Sequence, residues 1–315
     1  MQLPVLKIGN LLPRFPIIQG GMAVRVSTAP LVGAVAKAGG IGVIGGTGMT
    51  PEELAMEISQ SRSLADGGII GVNIMFAARQ FKELVHTAIR EKIDVIFTGA
   101  GFSREIFRWA KDSETPIVPI VSNSKGARLA EKLGAPAVVA EGFEAGGHLG
   151  TDRSVKEIVP EIIDTVSIPV VAAGGITSGF DMAEMIKLGA KGVQMATRFV
   201  LSKECSVADE FKKMYLNARE EDVVIIRSPV GLPGRALLNP FVNALKRDEA
   251  PEPDTCDVCL KDCSQEYCIM QALINAREGR VDEGVVFSGK NVFKIKEILS
   301  VQAIFDKLLA EFAAV

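Results

Sequence analysis

The chain has 315 residues, 48% of them hydrophobic and 23% charged, with 35 Lys and Arg against 38 Asp and Glu for a net charge of -3. That balance excludes a mainly disordered chain, and without a basic stripe it excludes nucleic acid as partner, because phosphate neutralisation needs clustered cations. No apolar run approaches the ~18 residues that would cross a bilayer, so no membrane association is expected. The segment before Pro16 has no charged start, apolar centre or small-residue cleavage site, so no signal peptide is read and a cytoplasmic protein is expected.

In chain order, short β-branched runs alternate with stretches of helical spacing. Strands are expected over residues 16–19, 41–45, 69–73, 95–98, 117–121, 137–141, 169–173 and 192–195. Helices are expected between them over 29–38, 51–60, 79–90, 103–111, 124–133, 154–164 and 180–188, with an eighth over 205–218. The strands read as nearly continuous apolar runs, the pattern of a parallel sheet covered on both faces. Eight β/α units in about 200 residues predict a (β/α)₈ TIM barrel. A doubly wound open sheet is the other reading, but the phosphate-type glycines follow the seventh and eighth strands rather than the first. Residues 1–219 are therefore assigned to the barrel and 220–315 to a carboxyl-terminal lobe over its mouth. Within the lobe, 220–260 shows charge runs, Pro229, Pro233, Pro240, Pro251 and Pro253 and no clear period, and helical spacing returns over 267–277 and 295–312.

Four of the five cysteines, Cys256, Cys259, Cys263 and Cys268, fall within thirteen residues. Four soft ligands so close suit tetrahedral zinc or an iron–sulfur cluster. A reduced, partly buried thiol group or one local disulfide explains the spacing equally well. Cys205, inside the expected eighth helix, is read as structural.

In a parallel barrel the working end lies at the carboxyl ends of the strands. The residues there are small or amide-bearing: Gly20, Gly21, Met22, Gly45, Gly46, Thr47, Asn73, Gly99, Gly101 and Asn123. Such a rim lets a large planar ligand lie close to the main chain. Gly174 and Gly175 after the seventh strand, with Gln194, Met195, Ala196 and Thr197 after the eighth, place backbone N–H groups for a phosphate. Glu141 to Gly150 puts His148, one of two histidines, on a glycine-rich loop at the mouth. Gly146, Gly147 and Gly150 give ligands close access there, and imidazole titrates near neutrality, so His148 is read as a general acid/base. His86, within a helical pattern, is read as structural. Arg227, Arg235 and Lys290 are weighed as phosphate contacts and assigned to ordinary surface positions.

Pro16-Ile-Ile-Gln-Gly-Gly-Met22, Gly71-Val-Asn73, Glu141 through His148, Ala172-Ala-Gly-Gly-Ile176 and Gln194-Met-Ala-Thr-Arg-Phe199 together resemble the FMN-dependent nitronate monooxygenases, formerly 2-nitropropane dioxygenases. The same superfamily holds the FMN-dependent enoyl-acyl-carrier-protein reductases of type II. The resemblance runs over residues 3–241 and more weakly over 285–291. It implies that Gly21 and Met22 approach the isoalloxazine, and that Asn73 and Glu141 hydrogen-bond near the ring or ribityl chain. It further implies that Gly146, Gly174, Gly175 and Gln194 to Thr197 hold the ribityl and phosphate groups, and that His148 is the catalytic histidine. Three functions follow as expectations. The first is FMN-dependent oxidation of alkyl nitronates with oxygen. The second is NAD(P)H-dependent reduction of an enoyl thioester on acyl carrier protein. The third, of another class, is a flavin-binding redox sensor or electron-transfer module using the cysteines. Glu141 stands where nitronate monooxygenases usually have Gln, whereas Gly99-Ala-Gly101 is closer to the reductases. A homodimer is a candidate assembly.

Overall fold

The computed structural model describes residues 1–251, 256 and 258–315, which leaves Pro253 outside the described residues. The first six strands are β1 (Ile17–Gln19), β2 (Ile41–Gly45), β3 (Ile69–Met75), β4 (Val95–Gly99), β5 (Ile117–Val121) and β6 (Val138–Glu141). A two-residue strand β7 (Gly147–His148) follows, then β8 (Val170–Ala173) and β9 (Gly192–Met195). Strands β1–β6, β8 and β9 form a closed parallel barrel. Closure is made by β9 against β1, with Ile18 opposite Gln194 and Gln19 opposite Met195. The expected barrel is thus present, and the reason is visible in burial: β2, β8 and β9 are buried at every residue, because helices cover one face and the barrel interior fills the other.

Inside the barrel Ile18, Ile41, Val43, Val95, Phe97, Val118, Val139 and Val171 pack together, and Leu6 and Ile8 plug the lower end. Outside run α1 (Ala29–Lys37), α2 (Pro51–Leu64), α3 (Phe81–Arg90), α4 (Arg104–Ala110), α5 (Ser124–Lys132), α6 (Val155–Ile163), α7 (Gly179–Lys187), α8 (Thr197–Val200) and α9 (Asp209–Asn217). Their starts follow capping chemistry. Thr50 and Ser178 each form a reciprocal capping box, with Glu53 and Asp181 respectively. His86 is exposed on α3 and packs its ring against Trp109 of α4 at 5.1 Å.

Two expected helices are shorter than their spacing suggested. The one placed over 205–218 begins only at Asp209, since Cys205 sits buried in an irregular turn with its N–H donating to Ser202 Oγ at 3.1 Å. The one placed over 295–312 begins at Val301, because Leu299 pairs in parallel with Ser202 and Ser300 caps the helix through Ala303 N–H. The lobe also holds structure that the spacing did not suggest. Strands β10 (Val223–Ile226) and β11 (Gly234–Leu237) form an antiparallel hairpin, and β11 pairs with β7. Helices α10 (Pro240–Lys246), α11 (Ile269–Arg277) and α12 (Val301–Ala313) complete the chain.

The boundary at 219/220 is crossed in both directions. Strand β7 leaves the barrel rim to join the lobe's sheet, so the His148 backbone lies opposite Gly234. Helix α12 returns to the barrel, packing on α7, where Glu311 accepts the Gly179 N–H at 2.7 Å.

Candidate active site

The barrel mouth and the lobe enclose a cavity of about 240 Å³. Gly21, Met22, Asn73, Glu141, Gly146, Gly147, His148, Gln194, Ala196 and Thr197 line it. A smaller adjoining hollow is lined by Gly174, Gly175 and Met195 and shares Glu141, Gly146, Gln194, Ala196 and Thr197 with the first. Gly21, Met22, Asn73, Glu141, Gly146, Gly147, His148, Gly174, Gly175 and Gln194 to Thr197 therefore line two adjoining hollows.

The rim is held open by buried polar struts. Gln19 is fully buried at the end of β1; its amide donates to Ser27 Oγ at 2.9 Å and Val43 O at 3.2 Å and accepts from Val43 N–H at 3.1 Å. This fixes the loop that carries Gly20, Gly21 and Met22. A Cβ at Gly45 would stand 2.1 Å from Met22 O, so β2 can pass under that loop only as glycine. Asn73 donates from Nδ2 to Gly21 O at 3.3 Å, while its Oδ1 is buried without a partner, as is Ser288 Oγ across the cavity. Buried polar atoms of this kind are ordinarily satisfied.

In the smaller hollow Gly174 has φ +113 and Gly175 has φ +71. A Cβ at Gly174 would come within 3.1 Å of Ala145 N and 3.2 Å of Gly142 O. The 289–291 segment of the lobe closes the hollow: Gly289 N–H donates to Thr197 Oγ1 at 2.9 Å and Asn291 Nδ2 to Gly175 O at 2.6 Å. Ala196 and Thr197, where the one-turn helix α8 begins, also line this hollow.

The loop from Glu141 to Gly150 is fastened at three points. Glu144 accepts from Ser154 Oγ at 2.7 Å and Val155 N–H at 2.9 Å, binding the loop to the start of α6. Arg235 is buried, donates to the carbonyls of Phe143 and Ala145, and stacks on the Phe143 ring at 4.4 Å. The surface position expected of Arg235 is thus corrected: the β10–β11 hairpin carries it beneath the loop. Arg227 and Lys290 are exposed, and Arg227 pairs with Asp248. Finally, Leu149 N–H donates to Pro233 O at 2.8 Å, next to the β7–β11 pairing.

His148 stands edge-on to Phe287 at 5.1 Å, and its Nε2 is 2.8 Å from Ser228 Oγ. Burial lowers its pKa from 6.5 to about 4, so the ring is neutral at ordinary pH and is a proton acceptor. Glu141, at the end of β6, is pushed the other way by burial, from 4.5 to about 7. No hydrogen bond to its carboxylate is recorded among the described residues. Two titratable groups in one cavity are thus driven towards neutrality, a common arrangement where proton transfer takes place.

The remaining wall is apolar. Val24, Val26, Met75, Val230, Leu260, Ile269, Met270, Leu273, Val285 and Phe287 line the cavity from both rim and lobe. Tyr215, buried with its hydroxyl donating to Phe287 O, holds the wall in place, and burial raises its pKa far beyond the phenol range. Among the described residues that line the cavity there is neither Lys nor Arg.

The sequence left metal ligation and free thiols equally open for the four cysteines. The thiols are free, and among the described residues no three Cys, His, Asp or Glu side chains are gathered to hold a metal. Cys268 is engaged as the cap of α11, its sulfur accepting Gln271 N–H at 3.4 Å, while Cys259 faces the cavity. Ser228, Ser288, Phe287 and Tyr215 were not singled out in the sequence: Ser228 and Tyr215 lie outside the quoted motifs, and Phe287 and Ser288 fall in the 285–291 segment, where the resemblance is weak.

A family model described as nitronate monooxygenase matches residues 6–94 and 71–311. The chain belongs to the nitronate monooxygenase family. This is a family of FMN-dependent oxidoreductases. Among solved structures, FabK of Thermotoga maritima is 36% identical with a TM-score of 0.87, covering 96% of this chain and 94% of that one. A probable nitronate monooxygenase of Staphylococcus aureus is 31% identical, covering 76% of this chain and 80% of the relative. A 5-hydroxy-7a-methyl-1-oxo-octahydroindene-4-carboxyl-CoA dehydrogenase of Rhodococcus jostii is 35% identical over 73% of this chain. The chain spans only 65% of that relative's length. No helix among the described residues is long and apolar enough to cross a membrane.

Proposed function

We propose that this chain binds FMN and acts at the Cα–Cβ bond of an acyl thioester, as a reductase using NAD(P)H. The observation that carries the substrate class is the absence of Lys and Arg from the described cavity lining. A nitronate is an anion, and burying it beside a neutral imidazole and a carboxyl without a countercharge is costly. A thioester is neutral, and its acyl chain matches the apolar wall. The name of the Rhodococcus relative, a carboxyl-CoA dehydrogenase, supports a thioester as the substrate class.

FMN fits the residues present. Asn73 and Ser288, each with a buried oxygen that lacks a partner, line the larger cavity, and Gly174 and Gly175 line the smaller one. When bound, FMN would supply the hydride chemistry. The chain's own residues would orient and exclude water. Gly20, Gly21 and Met22 would bring the main chain against the ring, and Gly174, Gly175, Ala196 and Thr197, which line the smaller hollow, would hold the phosphate. His148 would exchange the substrate proton, and the wall from Met75 to Phe287 would keep bulk water out. The thioester's carrier, coenzyme A or acyl carrier protein, would remain outside the cavity.

Nitronate oxidation is the second reading, favoured by the family description and by the Staphylococcus relative. Anaerobic mixing separates the two. FMN-loaded protein whose flavin absorbance is bleached by NAD(P)H and restored by crotonyl thioester is the expected result. Bleaching by alkyl nitronate or propionate-3-nitronate but not by NAD(P)H would overturn the thioester reading.

A further inference from the structure

The smaller hollow, of about 60 Å³, has a wall of two origins. Gly289, Asn291 and Val292 come from the lobe, and the rest of its lining comes from the barrel. The lobe segment stands between the hollow and solvent: Gly289 is buried and Asn291 half-buried on the inner side, while Lys290 between them is exposed. It is anchored at both ends. Upstream, Ser288 N–H donates to Arg235 O at 3.2 Å and Phe287 bridges Ala236 of β11. Downstream, Val292 is fully buried in one core with Phe199 and Phe305 and opens a short 3₁₀ turn, Val292–Lys294.

Between these anchors each residue of the segment reaches a different barrel turn. Gly289 N–H donates to Thr197 Oγ1 at 2.9 Å after β9, Lys290 N–H to Glu144 O at 3.0 Å after β6, and Asn291 Nδ2 to Gly175 O at 2.6 Å after β8. The fit leaves little slack: a Cβ at Gly146 would stand 2.7 Å from Gly289 N, and one at Gly175 would stand 3.1 Å from Asn291 Nδ2. The barrel side of the wall is held by closed strands, whereas the lobe side is held across the gap by single neutral hydrogen bonds. Each of these shifts an equilibrium only about 3- to 10-fold, so the segment can open locally while both anchors stay folded.

We propose that residues 289–291 are a latch over the flavin phosphate site, with Asn291 as the positioning residue that keeps it shut, so that FMN enters and leaves when it opens. The latch assignment rests on the reading that the smaller hollow takes the phosphate. Where passage requires the open form, entry and exit both scale with the fraction of time the latch is open, and weakening it quickens both. A residue that only contacted the phosphate would alter exit alone, and a purely structural one would alter neither rate.

Flavin fluorescence reads both rates, association by stopped-flow mixing of FMN with flavin-free protein and dissociation by dilution of the loaded protein. Asn291→Ala, and Asn291→Leu, which keeps the bulk, should each raise both rates by about 3- to 10-fold, the worth of one neutral hydrogen bond, while Kd holds. Amide hydrogen exchange needs no variant and decides the matter even where the variants fail to fold. In flavin-free wild type the Gly289 and Lys290 amides should exchange through local opening, well ahead of the Leu237 amide that is bonded to Val286 O. Unchanged rates in both variants, a change in dissociation alone, or latch amides that exchange only with global unfolding would each overturn the latch. Riboflavin, which lacks the phosphate, tests the underlying reading. Wild type that binds riboflavin as tightly as FMN would overturn the phosphate reading and the latch with it, whereas a clear preference for FMN with unaltered rates in the variants would overturn the latch alone.

Discussion

Replacing Glu141 with Gln should make the protein more stable in a way that grows with pH. Burial raises the Glu141 carboxyl from 4.5 to about 7, so the folded chain holds its proton more tightly than the unfolded chain does. Below pH 4.5 both states are protonated and the group is neutral to stability. As pH climbs towards 7 the unfolded chain ionises freely while the folded chain resists, and stability falls. At about 1.4 kcal/mol per pH unit, the full loss above pH 7 is ~3 kcal/mol. Glutamine has nearly the same shape and cannot ionise, so it escapes this loss. Urea unfolding of flavin-free wild type and Glu141→Gln at pH 4.5, 6 and 8 reads the difference directly, free of ligand linkage. Its expected course is a constant offset at pH 4.5 that shifts by ~3 kcal/mol in favour of the variant by pH 8. A difference independent of pH would refute the argument and show that Glu141 is solvated or paired.

His148→Ala should retain FMN while turnover drops about 10²-fold or more, as loss of a general acid/base requires; unchanged turnover would return the residue to a structural role. Because burial holds the His148 pKa near 4, wild-type kcat/KM should stay level from pH 7 to 5 and fall only below, and a bend at the ordinary value of 6.5 would count against the neutral ring. Gly174→Ala puts a side chain at φ +113 and 3.1 Å from Ala145 N. It should cost about 1–3 kcal/mol by thermal unfolding, and weaker FMN retention should accompany the loss.

The barrel was legible because each strand is buried on both faces, which writes a run such as Ile41–Gly45 or Val170–Ala173 into the sequence as unbroken apolar residues. The helix starts were marked less clearly. At α9 the acidic first turn of Asp209 and Glu210 was the available signal, and at α12 it was the capping Ser300; apolar spacing upstream obscured both. The lobe's sheet left almost no trace. Strand β7 is two residues long, and β10 and β11 are separated by prolines, so no alternation builds up. In the site, His148 and the glycines could be found because main-chain approach demands particular residue types at fixed offsets. Ser228 lies 80 positions from the histidine it touches, and a serine in a proline-containing turn has no local pattern. The cysteine spacing left metal ligation and free thiols equally open, because it records only that convergence is possible; in the fold Cys268 caps a helix and Cys259 faces the cavity.

The return of α12 to the barrel bears on how the chain folds. Its apolar face, Val301, Ile304, Phe305, Leu308 and Phe312, is buried in the same packed layer as Leu31 and Val35 of α1 and Met182 of α7. During synthesis those earlier helices emerge long before their covering partner does. The first and seventh β/α units must wait with apolar surface uncovered until residues 301–313 leave the ribosome. Contacts so distant in sequence are slow to form, and the interval is when such a chain is most open to aggregation. Final consolidation of the barrel wall is therefore a late event, completed only after the entire lobe has been made.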